Sequence, residues 1–311
     1  MSKPLPWSLA ENPRLENWLD FSERGVVRVF TAKVELGQGI ITAMAQIAAE
    51  VLNVATESVK VVHGNTDVAP YDMGTLGSRS TFHMGNAVRR AAEDARDRLA
   101  ALAAEAGLPA GTNYDMRELF RKRYGMQAGN VIGTGIFVPP YTPPDSATGQ
   151  SPDVTPFWMV GGTGAEVEVD TETGQLRVIR LVNVVDAGKP VNPKICKTQI
   201  SGGAIMQLGF TLYEDMVFDG GQVTNASFAD YKIPGFRDIP AMESDAVNSA
   251  QESGPFGAKG VGESSTFAVS PAIANAIHDA VGVRLMDLPI RAEDLLRAIR
   301  VAEGRPMGDD E

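Results

Sequence analysis

The sequence has 311 residues, of which 39 are acidic and 28 are Lys or Arg, so its formal net charge is −11. This length allows one large domain or two ordinary ones, and the acidic balance excludes the basic surface that binding to nucleic acid or to an anionic membrane needs. The single cysteine, Cys196, excludes an internal disulfide, a thiolate zinc site and an ordinary iron–sulfur cluster. Because the sequence shows neither an apolar stretch of ~18 residues nor a signal-peptide pattern, we expect a cytoplasmic protein, periplasmic only if a partner chain carries it there.

The first half of the sequence predicts an α/β arrangement. Apolar residues alternate over 26–35 and 59–63, which predicts two strands, and they recur at helical spacing over 40–52, which predicts a buried helix between them. Parallel strands joined through a helix bring the turns that follow the strands to one end of the sheet. Two further helices are predicted at about 81–106 and 114–124.

A proline-rich stretch, residues 128–156, predicts a connecting loop, because its six prolines interrupt both helices and strands. We therefore expect one subdomain at 20–127 and a second at 157–303. Turn residues and apolar periodicity in the second predict a hairpin at 157–170 and 175–186, a helix at 192–212, a hairpin turning at 219–221, a long loop at 228–262, and helices at about 264–281 and 291–302.

The glycines concentrate in four irregular segments, where they mix with hydroxyl, amide or charged groups. These segments are 35–39, 74–81, 201–209 and 253–263. A tight turn between two elements explains any single one of them. Together they offer many backbone N–H donors and few obstructing side chains, which suits a polyanionic ligand that carries phosphates.

Glu263 is the titratable residue with two competing interpretations. It precedes Ser264-Ser-Thr266, where a helix is predicted to begin, so it is either a first-turn acid that stabilises the helix or a buried carboxylate that acts as general base. The three histidines have no metal-ligand spacing with one another or with Cys196.

Five short motifs, in the same order as in the family, resemble the molybdenum hydroxylases, the superfamily of xanthine dehydrogenase and aldehyde oxidoreductase. They are Glu35-Leu-Gly-Gln-Gly39, Gly77-Ser-Arg-Ser-Thr81, Val191-Asn-Pro193, Asp230-Tyr-Lys-Ile-Pro234 and Gly254-Pro-Phe-Gly-Ala-Lys-Gly-Val-Gly-Glu263. The resemblance covers the C-terminal half of a molybdopterin-binding subunit. The chain is thus similar to the medium molybdopterin subunit of split enzymes such as nicotinate dehydrogenase, and to the isoquinoline oxidoreductase branch.

The resemblance implies an α/β fold of mixed sheets with flanking helices, in two molybdopterin-binding subdomains. The implied cofactor is a molybdopterin with molybdenum, in the cytosine dinucleotide form. The resemblance assigns no metal ligand to this chain. It implies cofactor contacts at Gly37, Gln38, Gly39, Gly77, Ser78, Arg79, Ser80 and Thr81. Glu263 takes the position of the general base. Gln207 stands where the family has a glycine, so it either takes over an amide contact to the cofactor or has no such role.

The implied function is that of a hydroxylase subunit that inserts water-derived oxygen at an electron-poor carbon of an N-heteroaromatic or aldehyde substrate. The alternatives are a noncatalytic cofactor-binding or assembly subunit and a fragment similar to the carbon monoxide dehydrogenase large subunit. We expect three kinds of partner chain: an N-terminal-half molybdopterin subunit, a small [2Fe-2S] subunit, and an FAD subunit or other electron acceptor. The clusters and FAD belong to those partners, since this sequence cannot ligate a cluster.

Overall fold

The computed structural model describes residues 15–69, 72, 74–109, 114–126, 129–249 and 251–305. The chain divides into two compact units, and each unit is assembled from three stretches of sequence. The first unit contains Met1–Trp158, Ala187–Pro193 and Asn248–Gly260, and the second contains Met159–Asp186, Lys194–Val247 and Val261–Glu311. Among the described residues, none of the helices has the length and apolar character that a membrane crossing requires.

The first unit is a four-stranded mixed sheet with helices packed on it. Its strands are β1 (Leu15–Asp20), β2 (Val27–Phe30), β3 (Val59–Val62) and β4 (Ile132–Phe137), in the spatial order β3-β2-β1-β4. The β2–β3 pair is parallel, as predicted, and the other two pairs are antiparallel. The helices described in this unit are α1 (Ile40–Leu52), α2 (Ser80–Glu105) and α3 (Met116–Tyr124).

Small residues bring α2 unusually close to the sheet. A Cβ atom at Gly133 of β4 would lie 2.2 Å from the carbonyl oxygen of Ala91, and one at Gly135 would lie 2.1 Å from that of Ala87. Strand and helix backbones therefore touch directly, which only glycine permits. The core around this contact is apolar and fully buried, and it includes Leu19, Met44, Phe82, Ala87 and Val88.

The second unit is built on a three-stranded sheet in the order β5-β6-β9. These strands are β5 (Gly161–Val169), β6 (Leu176–Asp186) and β9 (Ala241–Val247); β5–β6 is antiparallel and β6–β9 is parallel. A short hairpin, β7 (Phe218–Asp219) and β8 (Gln222–Val223), and the helices α4 (Pro193–Leu212), α5 (Val269–Val281) and α6 (Ala292–Ala302) complete the described elements. Leu181, Leu208, Ile273, Leu295 and Ile299 lie in its core.

The structure confirms the predicted helices 40–52 and 192–212 and the predicted hairpins, and it corrects three loop or helix predictions. The Pro-rich stretch 128–156 contains strand β4, and the loop predicted at 228–262 contains strand β9. The alternation of apolar and polar residues did not reveal these two strands, because β4 carries two glycines on its buried face and β9 has no buried residue. The helix predicted from residue 264 begins at Val269, after a turn.

Candidate functional site

The Gly-Gln-Gly turn is held by a carboxylate from its own segment. Gly37 and Gly39 have φ angles of 98° and 77°, which glycine adopts without strain. The Glu35 carboxylate accepts hydrogen bonds from the backbone N–H of Gly37 (2.9 Å), Gly39 (2.8 Å) and Ile41 (3.2 Å), so it caps the start of α1. Burial raises the pKa of Glu35, but these donors outweigh it and hold the pKa below its ordinary value.

Gln38, predicted to contact the cofactor, lies at the tip of this turn. Its side-chain amide donates to the carbonyl oxygen of Val34 at 2.9 Å, and its Oε1 accepts from the Leu36 N–H at 2.5 Å. Both ends of the amide are therefore oriented by the turn that carries it. The turn therefore fixes the position of the Gln38 amide relative to the N-terminus of α1.

The predicted segment 77–81 forms the N-terminus of the 26-residue helix α2. Gly77 and Ser78 have φ angles of 62° and 54°, so the chain makes a left-handed turn just before the helix. Arg79 occupies the N-cap position without a side-chain cap within the described residues, and the first turn, which starts at Ser80 and Thr81, contains no acid. Such an N-terminus offers backbone N–H donors and the positive end of the helix dipole, the arrangement that binds anions.

A buried ion pair, missed in the sequence analysis, lies where this loop begins. Lys33 Nζ is 2.6 Å from Asp72 Oδ1 and donates to the carbonyl oxygen of Gly74, also at 2.6 Å. The side chains of Lys33 and Asp72 are only 3% and 2% exposed. Burial lowers the pKa of Lys33, and the Asp72 carboxylate opposes this shift without cancelling it. The available signal was a lone lysine shortly before the glutamate of the Gly-Gln-Gly segment.

The fourth glycine-rich segment packs directly on the second. A Cβ atom at Gly260 would lie 1.4 Å from the carbonyl oxygen of Ser78 and 2.5 Å from its carbonyl carbon. No side chain fits between the two backbones, so glycine is required at residue 260 for steric reasons. The structure thus brings the segments 77–81 and 254–260 together within the first unit.

Side chains of α2 hold the segment that leads to Gly260. Asn86 Nδ2 donates to the carbonyl oxygen of Ser253 at 2.9 Å, and the guanidinium of Arg89 lies 5.0 Å from the centre of the Phe256 ring. Phe256 has a φ angle of 55°, an uncommon conformation for an aromatic residue. The cation–π contact and the Asn86 bond fix the segment on the helix in spite of this strain.

His83 lies in the first turn of α2, buried against aromatic rings. It is 4% exposed, and its Nε2 atom makes no hydrogen bond within the described residues. Burial lowers the pKa of His83 to about 3, and the positive charges of Arg79 and Lys33 act in the same direction. His83 is therefore neutral at physiological pH.

Glu263 lies in the second unit, in the turn that precedes α5, and it is exposed. Its backbone carbonyl accepts hydrogen bonds from the N–H of Thr266 at 3.1 Å and from its hydroxyl at 2.8 Å. The next two residues, Ser264 and Ser265, are 0% and 2% exposed, and their hydroxyls have no partner among the described residues. Gly203 of α4 allows the approach of this turn, since a Cβ atom there would lie 2.5 Å from Ser265 Oγ.

Gln207, the departure from the family pattern, bonds within the second unit. Its Nε2 donates to Ser270 Oγ at 2.7 Å, and its backbone carbonyl oxygen accepts from the Thr211 hydroxyl at 2.6 Å. The first of these bonds joins α4 to the first turn of α5. They give Gln207 a packing role whether or not it contacts a cofactor.

Metal ligation by side chains finds no support in the described ranges, where no group of three His, Cys, Asp or Glu could hold an ion. The first unit instead brings a glycine-rich loop to the N-terminus of α2, where backbone N–H groups and the helix dipole favour an anion. The second unit offers the exposed carboxylate of Glu263, followed in sequence by two buried serines.

Comparison with known proteins gives the family. Residues 7–240 match the molybdopterin cofactor-binding domain family. A probable xanthine dehydrogenase subunit of Bacillus subtilis is 32% identical over 294 residues, which cover 90% of this chain and 38% of that protein. The 6-hydroxypseudooxynicotine dehydrogenase complex subunit gamma of Paenarthrobacter nicotinovorans is 33% identical over 297 residues, covering 89% and 36% of the two chains.

A solved structure gives the same result for the fold. The aldehyde oxidoreductase from Desulfovibrio gigas superposes with a TM-score of 0.78 at 30% identity, over 92% of this chain and 30% of that one. The chain therefore spans less than two fifths of the length of these relatives. The chain belongs to the molybdopterin cofactor-binding domain family, and within the molybdenum hydroxylases it corresponds to the C-terminal molybdopterin-binding part.

Proposed function

We propose that the chain is part of the molybdopterin-binding subunit of a hydroxylase that inserts water-derived oxygen at an electron-poor carbon of an N-heteroaromatic or aldehyde substrate. The observation that carries the proposal is the contact between Gly260 and the Ser78 carbonyl, which leaves no space for a Cβ atom. Two glycine-rich backbones meet there beside the N-terminus of α2. Such a cradle fits an anionic cofactor, because bare backbone binds phosphates closely.

In this proposal the cofactor is held by the chain's backbone more than by its side chains. The N–H groups of residues 77–81 bind its anionic groups, Arg79 adds a positive charge, and the amide of Gln38 binds a polar edge. Gln207 lies in the other unit and stands where the family has a glycine, so we assign it no essential cofactor contact. When bound, the molybdenum cofactor supplies the two-electron oxidation chemistry. We assign it the cytosine dinucleotide form.

Glu263 is the residue that we assign as general base. Its exposed carboxylate accepts a proton from the attacking oxygen during hydroxylation. A positioned base of this kind contributes about 10²–10⁴-fold to the rate. The hydroxyls of Ser264 and Ser265, buried and without a partner in the part of the chain that the structure describes, directly follow Glu263 in sequence and support the assignment.

The electrons leave through other chains. Since Cys196 is the only cysteine, this chain cannot supply the thiolates of an iron–sulfur cluster. We therefore propose an N-terminal-half molybdopterin chain, a [2Fe-2S] chain and an FAD chain or other acceptor as partners. The name of the Paenarthrobacter relative, a subunit of a dehydrogenase complex, supports an assembly of this type.

The test is Glu263→Gln in the complex purified through a tag on this chain. Turnover of N-heteroaromatic and aldehyde substrates with an artificial electron acceptor should fall about 100-fold or more, because the amide cannot accept the proton. Molybdenum content should stay at the wild-type level. The matched control is Glu252→Gln, a second exposed glutamate in the same stretch of sequence.

Two results would contradict the proposal at different points. Turnover of Glu263→Gln within tenfold of wild type would exclude Glu263 as the base. Absence of molybdenum and pterin from the wild-type complex would exclude the hydroxylase function itself.

A further inference from the structure

Lys33 and Asp72 form a polar clamp that the proposed cofactor contacts do not include. Lys33 Nζ donates to Asp72 Oδ1 and to the carbonyl oxygen of Gly74, and Asp72 Oδ1 also accepts from the Gly74 N–H at 2.8 Å. Both backbone polar groups of Gly74 are thus bonded to the same ion pair. The φ angle of 99° at Gly74 is fixed by these bonds.

Between this clamp and Ser78, which packs against Gly260, the loop has little else to hold it. Residues 75–77 are exposed, and the apolar side chain of Leu76 is 42% exposed, so packing does not order this stretch. Ser80 Oγ and Thr75 Oγ1 make one long contact of 3.3 Å. Loops with few buried contacts open at low cost in free energy, so a clamp at their base decides how often they are closed.

Stability alone does not explain why an ion pair occupies this place. Replacing a buried ion pair by uncharged groups of similar size is often neutral or stabilising, whereas removing only one partner is strongly destabilising. Asp72 Oδ2 lacks a partner within the described residues, so the pair is incompletely satisfied as a purely structural element. The Lys33–Asp72 pair lies just before the segment 77–81, where it can also orient that segment.

We propose that Lys33 and Asp72 are positioning residues that fix the loop 74–81 in the conformation in which its N–H groups face the cofactor. The proposal rests on the function proposed above. Lys33 acts through Gly74 and does not itself touch the cofactor.

The test compares three variants in the purified complex. Lys33→Met alone leaves the Asp72 carboxylate buried without its counter-charge, so it should lower the thermal midpoint. The double variant Lys33→Met/Asp72→Asn removes both charges and keeps an amide oxygen for the Gly74 N–H. Lys60→Met is the surface control, because Lys60 is 64% exposed and its ammonium lies 3.9 Å from the Glu23 carboxylate, at the limit of an ion pair.

A positioning role and a structural role differ in the double variant. We expect its thermal midpoint to return close to wild type, while molybdenum and pterin per complex stay about fivefold or more below wild type. Amide hydrogen exchange in the peptide 72–82 should rise in the same variant and stay unchanged in Lys60→Met.

Three results would overturn the proposal: full cofactor content in the double variant, a midpoint that falls in proportion to cofactor content, or unchanged exchange at 72–82. If the wild-type complex holds no molybdenum, the proposed function fails. The exchange measurement then still decides whether the clamp orders the loop.

Discussion

Replacing Gly260 with alanine perturbs the contact on which the proposed function depends. The new Cβ atom would lie 1.4 Å from the Ser78 carbonyl oxygen, against 3.4 Å for the start of ordinary van der Waals contact, so the two backbones would separate by roughly 2 Å. Both contacting groups are main chain, so no rotamer change relieves the overlap. Overpacking typically costs about 1–3 kcal/mol, and we expect the upper end, about 3 kcal/mol.

For a unit of this size, each kcal/mol lowers the melting temperature by about 2–4 °C, so we expect a fall of about 6–12 °C in calorimetry. Molybdenum content should fall as well, since the cradle opens. The control is Gly202→Ala in α4, where no atom lies within 4 Å and alanine favours the helix by up to about 1 kcal/mol. A Gly260→Ala chain that melts within about 2 °C of wild type with full molybdenum content would refute the reasoning.

Three further predictions concern stability. Gly135→Ala places a Cβ atom 2.1 Å from the Ala87 carbonyl oxygen, so we expect a loss of about 2–3 kcal/mol in urea unfolding. The pKa of Glu35 in the folded chain lies below its ordinary value of 4.5, so the stability that Glu35 contributes is complete above pH 4.5 and is lost as the pH falls through the folded pKa. Glu35→Gln should therefore lower the stability at pH 7 and make the loss of stability in acid less steep. His83 takes up a proton at about pH 6.5 in the unfolded chain but only at about pH 3 in the folded chain, so the protein loses stability as the pH falls through this range. His83→Leu should therefore reduce the slope of stability against pH between pH 7 and 5.

Each of these has its own control and its own contrary result. Gly162→Ala, with no atom within 4 Å, controls for Gly135→Ala, and equal midpoints for the two would contradict the close helix–strand contact. For Glu35 and His83, a variant whose stability changes with pH as steeply as that of wild type would show that the residue's titration is not coupled to folding.

Periodic patterns predicted most of the fold. The helix Ile40–Leu52 follows from apolar spacing, because it buries a broad apolar face, and the parallel pairing of β2 with β3 follows from the helix that connects them. Strand β4 was missed for a physical reason. Its Gly133 and Gly135 are required by the close approach of Ala91 and Ala87 of α2, residues more than 40 positions away that local sequence does not reveal.

The sequence predicted the segments that form the candidate site, but it did not predict the side-chain contacts that hold them in place. Glycine-rich composition identified the segments around Gly77 and Gly260, since a left-handed turn and a close backbone contact both need glycine. The pairing of Lys33 with Asp72 joins residues 39 positions apart, and no spacing rule predicts it. Gln207 was identified by comparison with the family pattern, and the structure shows that its amide donates to Ser270 on the neighbouring helix.

The assembly of the first unit from three stretches of sequence has a consequence for biosynthesis. Gly188 forms a β-bridge with Ala258, and Gly260 packs on Ser78, so the unit begun by the first 158 residues is closed only by residues 187–193 and 248–260. A nascent chain that ends before residue 260 lacks one wall of the cradle. Contacts of such sequence separation form late and slowly. If the proposed site holds the cofactor, loading follows translation of most of the chain, and a chain truncated after residue 158 should not retain the cofactor.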